Sequence, residues 1–236
     1  RQMCIRDRKH PVRKQDLAQL LSKFEFSSQE SLLAQYPPHY RGQHVIWLSN
    51  NVRLLLIFDD IDDALGNLDA EVDLWFMDGF APSKNQAMWQ PAIYRKMFSR
   101  SRHGAEVATY SAAGAVKRGL EYAGFTTRKI DGFGRKNEML SAKRPGNWQP
   151  TQSPRDAVTI LGAGLARLFC AEALTRRGID FQILDGGNPG PSTIPQLAVM
   201  PQLALASEPR YRFSFAACHY MQSAPGYYKT GVHRWG

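Results

Sequence analysis

The chain has 236 residues, 43% of them hydrophobic, and a formal net charge of +9. That length and apolar content suffice for one large domain or two small ones with a real core, and no run of 18 apolar residues implies a membrane span. Three scattered cysteines (Cys4, Cys170, Cys218), odd in number and without CxxC spacing, read as a reducing, cytoplasmic setting without a zinc site, and the six histidines show no ligand spacing, so no metal is expected.

The first residues, RQMCIRDR, lack the apolar centre of a signal peptide and are set aside as an extraneous segment, 1–8. Residues 15–35 place Leu17, Leu20, Leu21 and Phe24 at helical spacing. HVIWLSNNVRLLLIF (44–58) predicts a hairpin in which Asn50 and Asn51 tolerate the positive φ of a tight turn. DDIDDALGNL (59–68) fits a short helix with acids in its first turn, where the helix dipole favours them. VDLWFM (72–77) reads as a fully buried strand. Gln86 to Arg102 is helical in pattern, AEVATYSA (105–112) is a strand, and residues 114–122 form a helix that Gly124 stops. FTTRKI and NEMLSAK close the region as a second hairpin. Strands alternating with helices predict an α/β domain with a largely parallel sheet.

Prolines, glycine and polar residues then mark a linker at 145–156. After it the pattern restarts as strand, turn, helix and strand over 157–185. VTIL is expected to be a buried strand. Gly162 and Gly164 supply a tight turn through which backbone can approach a pyrophosphate at a helix N-terminus. Asp185 ends the second strand 23 residues after Gly162, where an acid can hold ribose hydroxyls. Arg167 stands where the third glycine of such a turn belongs, for close helix–strand packing.

Charge is unevenly spread. Residues 84–144 hold 13 Lys and Arg against 4 Asp and Glu, and the rest of the chain balances. Residues 54–83 hold eight acids and no Lys or Arg. An acidic pocket beside a basic field suits an amine-bearing ligand next to a polyanion, although two solvated faces of opposite sign give the same count. Asp60 and Asp78 both follow strands, at the carboxyl ends where open α/β sheets bind ligands. Either could instead be a helix N-cap or turn acid. The Asp-Gly-Phe-Ala-Pro context of Asp78 leaves few backbone donors and stiffens its loop, which suits placing a nucleophilic amine.

The stretches DLWFMDGFAPSKNQAMW, SAAGAVKRGLEYAGF and GFGRKNEML, followed by a linker and ILGAGLA, resemble the bifunctional tRNA 5-methylaminomethyl-2-thiouridine biosynthesis (MnmC) family from about Lys9 to the end. The resemblance implies an α/β chain. The C-terminal part of a Rossmann-like, S-adenosylmethionine-dependent methyltransferase domain would span 9–144. The first βαβ unit of an FAD-binding oxidoreductase fold would open 157–236. It implies FAD-dependent removal of the carboxymethyl group from 5-carboxymethylaminomethyl-2-thiouridine, then methyl transfer to the freed amine, on the anticodon arm of tRNA.

By the same resemblance Asp78 is the catalytic acid, and Phe80, Pro82 and Lys84 belong to its substrate loop. Asp60 contacts the adenine part of the methyl donor, with Asp59 replacing a glycine. Lys117, Arg118, Arg135 and Lys136 are basic tRNA-contact positions, and Gly162, Gly164 and Asp185 fall in the flavin nucleotide site. Phe80, Trp89 and Phe133 could stack on an extruded base or serve as core. The family's glycine-rich loop is missing before Lys9, and GPSTIPQLAVMP, with Thr193, Ile194 and Leu197, breaks its flavin-ring loop. The chain is therefore expected to be inactive by itself. A non-catalytic RNA-binding fragment, or a flavin amine oxidase of small amino acids, remain as rival readings.

Overall fold

A computed structural model describes residues 2–7 (backbone only), 10–132, 134, 137–150, 157–162, 164–187, 200–201 and 208–221. In chain order the elements are β1 (Gln2–Asp7), α1 (Lys14–Leu21), α2 (Gln29–Gln35), β2 (Gly42–Trp47), β3 (Val52–Phe58), α3 (Ile61–Gly66) and β4 (Val72–Met77). A 3-10 turn (Gln86–Trp89) precedes α4 (Pro91–Arg100), β5 (Ser101–Thr109), α5 (Gly114–Ala123), β6 (Thr126–Asp131) and β7 (Glu138–Lys143). Then come β8 (Val158–Leu161), α6 (Leu165–Arg177), β9 (Phe181–Leu184) and α7 (Pro209–Met221). The chain divides into two compact units, 1–58 with 152–236, and 59–151. The division follows the sheets, because β3 pairs with β1 and β2, and β4 opens a separate sheet.

In the first unit β2 and β3 form the expected antiparallel hairpin, with Trp47 opposite Arg53. Its turn is not the tight one predicted. Four residues, 48–51, connect the strands, and no described non-glycine residue has positive φ. The Ser49 hydroxyl accepts the Asn51 and Val52 N–H groups at 3.3 and 3.2 Å, so no left-handed residue is needed. Ile46, Leu56 and Phe58 form the buried cluster, with Leu32, Tyr36, Leu48 and Leu54 against it. Burying side chains of that size contributes about 1.5–3 kcal/mol each. Residues 2–7, set aside on sequence grounds, run parallel to β3, whose other edge β2 occupies. The helical pattern of 15–35 resolves into two helices, and Leu20 and Phe24 are exposed rather than core.

The second unit is a four-stranded sheet in the order β4-β5-β7-β6. Only β4–β5 is parallel; β5–β7 and β7–β6 are antiparallel, so the sheet is mixed rather than largely parallel. Ile93, Tyr94 and Met97 of α4 and Val116 and Leu120 of α5 are buried together with Val107, Leu140 and Ala142 of the sheet. Pro91 starts α4, later than the helical pattern suggested, and α5 ends at Gly124 in the left-handed region (φ 110°), as expected of a glycine stop. β4 is not fully buried. Leu74 is 46% and Phe76 73% exposed, because β4 is an edge strand with one uncovered face.

β8 and β9 pair in parallel around the α6 crossover, the predicted βαβ connection. VTIL is not the buried strand expected. Leu161 is 78% and Leu184 53% exposed, and α6 buries no residue, because a two-stranded sheet with one helix leaves a face open.

Candidate active site

The parallel register sets Met77 beside Thr109, so β4 and β5 deliver their carboxyl ends together. β7 runs against β5 and β6 against β7, so the β6–β7 connection opens at that same end. The loop from Asp78, residues 110–113 leading into α5, and the adjoining ends of β6 and β7 therefore lie at that end.

Asp78 leaves β4 exposed to solvent. Its loop is held by carbonyl acceptors rather than by the acid. The Thr109 hydroxyl donates to the Met77 carbonyl at 3.0 Å, the Tyr110 hydroxyl donates to the Gly79 carbonyl, and the Trp89 indole N–H donates to the Phe80 carbonyl at 2.9 Å. The Lys84 and Asn85 N–H groups close a turn onto the Ala81 carbonyl at 2.8 and 3.1 Å. A Cβ on Gly79 would meet Met88 Cε at 2.5 Å, so the end of that half-buried methionine would have to shift. Pro82 is half-buried, Lys84 is exposed and Phe80 is 72% exposed. Phe80 is thus not a core residue, whereas Trp89 is half-buried and its N–H is committed to the loop. The sequence reading missed Thr109 and Tyr110. Their one signal is position, a hydroxyl pair ending the strand beside the acid's own.

Asp60 sits at the N-cap of α3 with extended backbone (φ −68°, ψ 143°) and makes no side-chain cap hydrogen bond. Asp59 is buried and accepts the Asp60 N–H at 2.9 Å. Asp59, Asp60 and Asp63 bring carboxylate oxygens within 4.8 Å of one another, an arrangement that acids adopt commonly without an ion.

Lys117 and Arg118 lie exposed on α5, Lys117 with Glu121 at 3.8 Å. Arg135, Lys136 and Phe133 lie outside the described residues. Much of the basic stretch faces elsewhere. Arg100 donates to the Leu68 and Gly66 carbonyls, Arg144 to those of Phe98 and Ser101, and Arg102 pairs with Glu71 at 3.1 Å. These arginines line an open groove of about 1170 Å³ at the amino ends of β4 and β5, opposite the end that carries Asp78. They brace that end of the sheet, so the charge count overstates the field at the carboxyl end.

In the βαβ unit Gly162 is left-handed (φ 101°), with open space where a Cβ would be, and its N–H donates to the Leu184 carbonyl at 2.9 Å. Gly164 caps α6. That backbone fits a close phosphate approach. Arg167 does not fit. Its guanidinium lies 3.9 Å from Asp185, the acid expected to hold the ribose, and its Nε is buried without an acceptor. Asp185 also accepts the Gly187 N–H at 3.2 Å. Of the altered loop at 190–201, residues 190–199 lie outside the described residues.

No helix among the described residues is long and apolar enough to cross a membrane. Residues 24–145 match the model of the S-adenosyl-L-methionine-dependent methyltransferase family. The chain is 40% identical, over 90% of its length, to the tRNA 5-methylaminomethyl-2-thiouridine biosynthesis bifunctional protein MnmC of Chromohalobacter salexigens, and covers 33% of that protein. It is 35% identical, over 96% of its length, to the protein of the same name from Maricaulis maris, and covers 40% of it. The chain thus spans a third to two fifths of the length of these relatives. A solved structure, MNMC2 from Aquifex aeolicus, aligns with 52% of this chain and 38% of its own at TM-score 0.41 and 22% identity, too loose a likeness to carry an argument. The sheet that ends in Asp78, the family model across it and the identity to both relatives lead to one conclusion: the chain belongs to the S-adenosyl-L-methionine-dependent methyltransferases of the MnmC family.

Proposed function

We propose that this chain carries the methyl-transfer site of a tRNA wobble-uridine modification enzyme, which methylates the amine of 5-aminomethyl-2-thiouridine. The observation that carries the reading is the Asp78 loop, an exposed carboxylate at a strand's carboxyl end whose backbone is fixed at Met77, Gly79 and Phe80. A primary alkylamine at neutral pH is an ammonium without a lone pair. Asp78 accepts its proton and orients the nitrogen. The nitrogen lone pair then forms the new N–C bond as the S–CH₃ bond breaks, with the electron pair leaving on sulfur. S-adenosyl-L-methionine would supply the electrophilic methyl group, and Asp60 would contact its adenosyl part. Fixing the acid leaves less disorder to remove on reaching the in-line geometry, the source of much of the acceleration.

Phe80 offers an exposed ring for the extruded base, with Pro82 and Lys84 beside it in sequence. Lys117 and Arg118, with Arg135 and Lys136, would take backbone phosphates of the anticodon arm. The β8–α6–β9 unit would be the nucleotide-binding start of a flavin-dependent half that frees the amine. Gly162 and Gly164 support that role, and the Arg167–Asp185 pair opposes tight flavin binding.

The test is methyl transfer from labelled S-adenosyl-L-methionine, by the full-length protein, to tRNA bearing 5-aminomethyl-2-thiouridine. Label on that tRNA, and none on tRNA with unmodified uridine, is expected. Equal labelling of both, or of neither, overturns the reading.

A further inference from the structure

In the first unit one indole gathers three guanidinium groups. The hairpin register sets Arg53 opposite Trp47, and its Cζ lies 5.9 Å from the Trp47 ring centroid. The last turn of α6 brings Arg176 and Arg177 to the same ring, each at 5.8 Å. Helix ends favour cations, and Arg177 also donates to the Ala173 carbonyl at 2.8 Å, which accounts for one arginine on α6. It does not account for three around a single ring. Burial, and after it the neighbouring Arg177, holds the Arg53 guanidinium below its usual range. Glu172 meets Arg176 at 2.5 Å. Among the described residues, the Trp47 Nε1–H is buried without an acceptor. Guanidinium nitrogens only donate, so the three arginines gathered at the ring present donors whose hydrogens an oxyanion would accept.

We propose that Trp47, Arg53, Arg176 and Arg177 form a binding site for an RNA backbone phosphate, a second hold on the polyanion beyond the basic stretch. The inference rests on the reading that RNA is the substrate. RNA is the polyanion that suits it, because guanidinium planes and aromatic rings stack on splayed bases as well as pair with phosphates. The charge count did not reveal the site, because Arg53, Arg176 and Arg177 fall in the balanced remainder of the chain.

The test is binding of a tRNA transcript, read as log affinity against log salt concentration. The triple variant Arg53→Gln, Arg176→Gln, Arg177→Gln should flatten the slope by ~0.7–0.9 for each phosphate that is no longer neutralised. The triple Arg→Lys variant keeps the charge and should retain most of the slope. A lysine variant whose slope falls as far as that of the glutamine variant indicates damage to hairpin and helix packing and overturns the site. A separate Lys117→Ala, Arg118→Ala variant distinguishes the two levels of the argument. If its slope falls while the glutamine triple's is unchanged, the site is wrong and the RNA reading stands. If neither slope changes, both are wrong.

Discussion

At the scale of single residues, the Asp78 loop is fixed through its carbonyls, with Thr109, Tyr110 and Trp89 donating to Met77, Gly79 and Phe80. Asp78 announces itself because an apolar strand rarely ends in a carboxylate followed by glycine, an aromatic and proline without a reason. Tyr110 carries no such mark, since a tyrosine after a strand is ordinary. Only the parallel register shows its hydroxyl meeting the Gly79 carbonyl. Tyr110→Phe should cost ~1 kcal/mol of stability, the usual net worth of one hydrogen bond, and should slow methyl transfer in the full-length protein while RNA affinity holds. Urea unfolding and single-turnover kinetics read the two effects, and an unchanged rate would remove Tyr110 from the positioning set. Arg167 was legible as a departure, but its outcome was not. Crowding between helix and strand was the expected consequence, and the side chain instead reaches Asp185 at 3.9 Å. Arg167→Gly frees that acid and should tighten flavin binding, followed by quenching of flavin fluorescence. Equal affinity in both forms would mean that the ion pair opens at no cost when the ligand arrives.

Hairpins and glycine stops could be read at the scale of elements, because their determinants are local. Gly124 stops α5, and FTTRKI and NEMLSAK pair as the expected hairpin β6–β7. Burial could not be read, because VDLWFM and VTIL look alike whether or not a neighbour covers them, and β4 and β8 both keep an open face. Packing between α4 and α5 gives a sharp test. A Cβ on Gly119 would lie 2.3 Å from Cε2 of Tyr94, itself buried and unable to swing aside. Gly119→Ala should therefore destabilise by ~1–3 kcal/mol from overpacking, despite ~1 kcal/mol of gained helix propensity. A raised melting temperature would contradict that packing.

The contact of β2 with α7 titrates. His44 is buried against Tyr40 and Phe58, with the His219 ring centroid at 6.3 Å, and its Nδ1 has no partner among the described residues. Burial pushes its pKa down to about 4, with the Tyr40 carbonyl opposing and His219 reinforcing the shift. An unfolded histidine titrates near ~6.5, so on acidification the unfolded chain takes the proton first. The stability His44 contributes is present above that value and is lost as pH falls towards about 4. His219, lowered by burial and by Lys14, acts in the same direction. Urea unfolding at stepped pH should show the loss, and His44→Leu should reduce it.

For the whole molecule, net charge pointed to a polyanion, and the structure divides that charge into separate jobs. Arg100, Arg102 and Arg144 brace the amino ends of the sheet, while Lys117 and Arg118 stand exposed on α5, the helix that follows the carboxyl end of β5. The arginines around Trp47 belong to the other unit. Composition sums over all of these, so the charge count alone does not say which of them stand free and which brace the sheet. The central claim is narrower, that the carboxylate at the end of β4 takes the proton from the amine. Single-turnover methylation of 5-aminomethyl-2-thiouridine tRNA by the full-length protein and its Asp78→Asn variant tests it most directly. The account predicts a rate lowered by two orders of magnitude or more, ~2.7 kcal/mol or above in barrier, with tRNA affinity unchanged. A variant within about tenfold of wild type, ~1.4 kcal/mol, would contradict it.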